Sequence, residues 1–127
     1  MTDTARCRAA VAADLAAVLV FVGIGRAAHT DGVTVAGVAT TAWPFVTGLA
    51  AGWLVLVVWQ RAGTSLAGGL PVWIATVALG MVLRVASRQG IAVAFVLVAL
   101  GFLGATMLGW RALLAGFRRL RPARRAS

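Results

Sequence analysis

Four apolar runs dominate this chain, and each approaches the roughly 20 residues an α-helix needs to cross a bilayer. They extend over about residues 9–25, 43–59, 70–87 and 91–114. Runs this long and continuous favour helices over a transmembrane barrel, whose strands alternate apolar and polar residues over about ten positions. The composition agrees, with 61% apolar and only 12% charged residues, where soluble domains carry about 25% charged. A chain of 127 residues could not hide so much apolar surface from water, whereas a chain solvated by lipid has no need to. The expected fold class is therefore all-α: a polytopic membrane protein with four transmembrane helices in a compact bundle. That bundle would occupy residues 1–116, followed by a basic tail at 117–127.

The ends of the runs carry some punctuation. Pro44 and Pro71 suit first turns, where a missing N–H costs nothing, and Thr40 or Thr41 could cap the second helix. The long connection Arg26–Ala42 holds His29, Asp31 and Gly32 and then a mildly apolar VTVAGVATTA. This last piece reads either as a short interfacial helix or as a kinked extension of the second run, with Pro44 as the break.

All twelve basic residues are arginine, and their distribution sets an orientation. Four crossings put both termini on one side, with nine arginines there and three on the other. The positive-inside rule then places both termini in the cytoplasm and the chain in the inner (plasma) membrane. The same rule accounts for the net charge of +9 without nucleic acid. The tail RRLRPARR reads first as a topology signal and second as a binder of anionic lipid headgroups. Arg6, Arg8 and the first apolar run resemble a signal peptide superficially, but Asp14 within the run and Arg26 beside the supposed cut argue against cleavage. Cys7 is the only cysteine, so no intrachain disulfide forms.

Asp14 is the only acid inside an apolar run. A carboxylate there costs on the order of 2.5–3.5 kcal/mol on insertion scales, so it should face the bundle, be protonated, or find a cation. Arg111, on a fourth helix returning to the same side, is the natural partner. Three readings of Asp14 follow. One is a buried Asp14–Arg111 bridge that sets the register between helices one and four; the second is a proton- or cation-coupled carboxylate; the third is a carboxylate that merely reaches the cytoplasmic interface. On the opposite side, Arg26, His29, Asp31, Arg84 and Arg88 can converge into an electropositive cluster open to an anionic headgroup or solute, or simply lie at the helix ends with their heads in water. Arg84 and Arg88 are four apart and would share a helical face. One His and one Cys give no coordination set, so no metal is expected.

Small residues are spaced for close helix contact. Gly48 and Gly52 form a GxxxG on the second helix, Thr76 and Gly80 repeat towards Arg84 on the third, and Gly101, Ala105 and Gly109 repeat on the fourth. Ala9, Ala13 and Ala17 do the same on the first. One such face could be left over for a homodimer. The tryptophans near the run ends, Trp43, Trp59 and Trp110, fit an aromatic belt, while Trp53 and Trp73 lie deeper and read first as lipid- or core-facing packing residues and second as the lining of a cavity. No nucleophile elbow, phosphate loop or metal motif is present, which disfavours an enzyme and calls for no cofactor.

Asp14 with FVGIGRAAH (Phe21–His29), TAWPFVTG (Thr41–Gly48), TVALGMVLR (Thr76–Arg84) and GWR (Gly109–Arg111) together resemble the domain of unknown function 3054 family, small prokaryotic four-helix membrane proteins with no assigned activity. The resemblance runs from about Ala12 to Arg111 and leaves out the arginine tail. It implies an architecture and no mechanism. Small multidrug-resistance exporters are similar in size and helix number and carry one carboxylate in helix one. That carboxylate is Glu, and the arginine asymmetry here argues against their dual-topology dimer.

The expected function is thus that of a non-enzymatic membrane protein, structural or accessory, with buried charge pairs and anionic-lipid binding. The alternative is a small oligomeric transporter or channel with Asp14 as the coupling carboxylate.

Overall fold

A computed structural model describes residues 3–28, 33–89 and 92–120. Its elements are four helices: α1 (Asp3–Ala28), α2 (Val35–Val58), α3 (Leu66–Ala86) and α4 (Val93–Leu120). Each is long and apolar enough to cross a membrane. They form a closed ring in which α1 packs on α2, α2 on α3, α3 on α4, and α4 back on α1. No strand occurs among the described residues.

The helices are longer than the apolar runs that predict them. Thr34 caps α2, its hydroxyl accepting the Gly37 N–H at 3.0 Å, and Ser65 caps α3 by accepting from Gly68 at 3.0 Å. Within the piece 33–41, residues 35–41 are therefore the first part of α2, and Thr40 and Thr41 lie inside the helix rather than at its cap. Pro44 and Pro71 fall inside α2 and α3 rather than in first turns. Neither proline interrupts its helix.

Both α2 and α3 end in the same six-residue turn, without a glycine at the left-handed position. After α2, Gln60 adopts φ 54° and Arg61 N–H returns to the Leu56 carbonyl at 3.0 Å. After α3, Arg88 adopts φ 63° and Gln89 N–H returns to Arg84 at 2.8 Å. These bonds satisfy carbonyls that a helix end otherwise leaves orphaned.

The α2–α3 contact is the closest in the ring. A Cβ on Gly48 would lie 2.7 Å from the Ala75 carbonyl, and one on Gly52 would lie 2.8 Å from Val72 Cα. Only residues without a side chain let the two backbones approach this far. Thr76 faces the same seam, fully buried, its hydroxyl bonded back to the Val72 carbonyl at 2.7 Å. Gly80 leaves room for the Phe45 ring. Between this seam and α1, Phe21 contacts three rings, with centroids 5.7 Å from Phe45, 5.6 Å from Phe95 and 5.8 Å from Phe102. Edge-on and tilted ring pairs of this kind add to plain burial.

On α4 the small-residue stripe is turned away from the bundle. Gly101 and Ala105 are exposed, and nothing lies within 4 Å of a Cβ placed on Gly101 or Gly109. The close approach is made instead at Gly104, where a Cβ would sit 3.1 Å from the Trp73 ring. Trp73 Nε1 donates nearby to the Leu100 carbonyl at 3.2 Å. On α1, Ala17 is buried while Ala9 is exposed.

Candidate functional site

The only ion pair among the described residues is fully buried. Asp14 and Arg111 are both 0% exposed and meet as two parallel bonds: Nη2 to Oδ2 at 2.7 Å and Nη1 to Oδ1 at 2.9 Å. α1 begins at Asp3, so Asp14 lies about 16 Å along the helix at 1.5 Å per residue. A side-by-side guanidinium–carboxylate pair is the strongest ionic geometry available to these groups.

The pair is not left to itself. Trp53 Nε1 donates to Oδ2 at 3.0 Å and Trp110 Nε1 donates to Oδ1 at 3.0 Å. Asp14 thus accepts four hydrogen bonds, two on each oxygen, which matches the number of lone-pair positions on a carboxylate. Arg111 is held with similar completeness. Its Nε donates to the Gly63 carbonyl at 2.8 Å and its Nη1 donates a second bond to the Met107 carbonyl at 2.9 Å. Its Cζ lies 4.3 Å from the centroid of the Trp110 ring, within cation–π range. No buried side-chain nitrogen or oxygen among the described residues lacks a partner.

Local sequence makes this arrangement possible. Trp110 and Arg111 are consecutive on α4, so one turn delivers both a donor and the counter-charge. Gly69, at the start of α3, is bare because a Cβ there would lie 2.5 Å from Arg111 Cδ. Gly63 in the α2–α3 turn is buried beneath the Trp53 ring, which occupies the space a Cβ would need. The cluster therefore draws on all four helices and one turn: Asp14 from α1, Trp53 from α2, Gly63 and Gly69 around the next connection, and Trp110 and Arg111 from α4.

Composition and spacing did not single out Trp53, Trp110, Gly63 or Gly69 for this site. Trp110 read as part of an aromatic belt and Trp53 first as a packing residue. The available signal was chemical: a buried carboxylate needs about four donors, and indole N–H groups at the same depth can supply them.

At the opposite end the predicted polar cluster is arranged differently. Arg26 Nη1 donates to Thr41 Oγ1 at 3.0 Å. Arg84 stacks on Phe95 of α4, 4.4 Å from the ring centroid, and its Nη1 donates to Gln89 Oε1 at 3.2 Å. Gln89 Nε2 in turn donates to the Thr40 carbonyl at 3.1 Å. Arg26 and Arg84 thus converge on adjacent residues of α2, Arg26 directly on Thr41 and Arg84 on Thr40 through Gln89. Arg88 does not share a helical face with Arg84. It lies beyond the last helical residue in a left-handed conformation and is exposed. His29 and Asp31 lie outside the described residues.

A family model described as "Protein of unknown function (DUF3054)" matches residues 11–114. The match takes in Asp14, Trp53, Gly63, Gly69, Trp110 and Arg111. No curated protein and no solved structure matches the chain.

Proposed function

This chain belongs to the DUF3054 family, and from that premise we propose that it is a structural or accessory protein of the cell membrane whose buried charges organise the bundle. In this reading it is not an enzyme, and both termini lie in the cytoplasm. The excess of arginines on the termini-bearing side supports the orientation.

One observation carries the reading: every acceptor position of Asp14 is already taken by a side chain from α2 or α4. A carboxylate that works by taking up and releasing a cation needs a lone pair within reach of its cargo. A carboxylate that holds helices together needs its lone pairs filled. Asp14 has the second arrangement. In lipid, where unpaired polar groups find no water, such a cluster fixes which helix faces meet and at what height. The arginine-rich end regions add attraction to anionic headgroups.

The test is a double-mutant cycle on the purified protein in detergent, read as thermal and denaturant stability. Asp14→Leu and Arg111→Leu should each destabilise by about 3–5 kcal/mol, because each leaves one buried charge without its partner. The double variant should recover a large part of that loss. Asp14→Asn that melts with the wild type, while abolishing proton-coupled flux in vesicles, would overturn the structural reading in favour of transport.

A further inference from the structure

Between α1 and α4, at the end where Arg6 and Arg118 lie, the bundle opens into a groove of about 680 Å³. This is within the 300–1,000 Å³ range of ordinary small-ligand sites. Its two walls differ in character. α1 contributes the small side chains of Ala9 and Ala13, while α4 contributes Leu113 and Phe117. Trp110 forms part of the lining, so the groove reaches the back of the Asp14 cluster. Arg6 comes from the start of α1 and Arg118 from the last turn of α4, and both residues line the groove. Neither is ion-paired to a carboxylate among the described residues.

We infer that this groove binds one anionic phospholipid, an acyl chain lying between α1 and α4 and the phosphate held between Arg6 and Arg118. The inference rests on the membrane reading above and gives it a specific ligand. An apolar slot would accept any chain, but two cationic residues in its lining select a phosphate that carries net negative charge over a zwitterionic headgroup. Charge also argues against the other occupants. A second copy of a chain with net charge +9 would bring like charge to a basic opening. The chain's own tail, residues 121–127, would add three further arginines. Arg6 and Arg118 both lie outside the matched stretch 11–114, so the inference draws on this chain's own residues and not on the family match.

The experiment uses the full chain, purified in nonionic detergent and stripped of lipid. It is titrated with phosphatidylglycerol or with phosphatidylcholine of the same acyl chains, and bound lipid is read by native mass spectrometry. One phosphatidylglycerol should be retained, roughly tenfold more strongly than phosphatidylcholine. Arg6→Gln with Arg118→Gln should remove that preference, and Ala9→Phe should lower the retention of both lipids by filling the slot. Removing the tail charges with R121Q, R124Q and R125Q should leave the single bound lipid in place. Equal retention of the two lipids, a preference that survives R6Q/R118Q, a loss that follows the tail variant instead, or a dimer mass in place of bound lipid would each overturn the proposal. Thermal midpoints of the same variants, expected to match the wild type, separate a failure of the groove from a failure of the Asp14 cluster.

Discussion

Gln89 Nε2 donates at 3.1 Å to the Thr40 carbonyl, the same carbonyl that Pro44, four residues further along α2, leaves without an N–H. Proline in a helix interior normally costs ~3 kcal/mol or more through the lost bond and a ring clash. Here a side chain from beyond the end of α3 replaces the missing donor. The same Gln89 accepts from Arg84 at 3.2 Å, so the proline gap, the end of α3 and the stacked arginine form one connected unit.

That relationship predicts a coupling. Gln89→Leu should destabilise the protein by about 0.5–1.5 kcal/mol, the usual net value of one hydrogen bond. In a Pro44→Ala background the helix supplies its own N–H to Thr40, and the cost of Gln89→Leu should shrink. Strictly additive effects in a denaturant titration of the four proteins would refute the link.

Trp53 and Trp110 should behave unlike the other tryptophans. Trp53→Phe or Trp110→Phe removes a donor to a buried carboxylate and should cost about 1.5–3 kcal/mol each. Trp59→Phe, at a position 63% exposed, should stay within about 0.5 kcal/mol. Near-equal melting of all three variants would show that the indole N–H groups contribute nothing beyond bulk.

Arg111→Lys should fail to restore the cluster although it keeps the charge. An ammonium cannot make two parallel bonds to Asp14 and still reach the Gly63 carbonyl, which the Nε now serves at 2.8 Å. The expected loss is on the order of 2–4 kcal/mol, approaching that of Arg111→Leu. A lysine variant as stable as the wild type would mean that charge alone suffices.

Glycine substitutions should split by sign. Gly48→Ala drives a Cβ to 2.7 Å from the Ala75 carbonyl, and Gly69→Ala drives one to 2.5 Å from Arg111 Cδ; overpacking of this kind costs typically about 1–3 kcal/mol. Gly101→Ala and Gly109→Ala meet open space and should stabilise α4 by up to about 0.5–1 kcal/mol through helix propensity alone. Thermal midpoints of the four single variants in one detergent would check the split.

Some of this was legible before any tertiary structure. The four membrane-length runs follow from composition along the chain, because the solvent preference of a 20-residue stretch does not depend on its neighbours. Asp14 and Arg111 stood out for the same reason: a charge within an apolar run must find a partner, and few were on offer. The helix ends were less legible. Prolines at 44 and 71 suggested starts, yet Thr34 and Ser65 cap earlier turns, since a helix held by neighbours tolerates a proline that an isolated one would not.

What only the tertiary structure decided is rotation. α4 is apolar around most of its circumference, so its sequence does not say which face turns inward. The evenly spaced Gly101, Ala105 and Gly109 face outward, while Gly104 takes the Trp73 ring. The same holds for Trp53 and Trp110. Their side chains suit a lipid interface and a buried carboxylate equally well, and only the packing of α1 against both α2 and α4 brings their N–H groups to Asp14. Residue type determined that a buried charge needs donors; the way the helices turn towards one another determined which residues supply them.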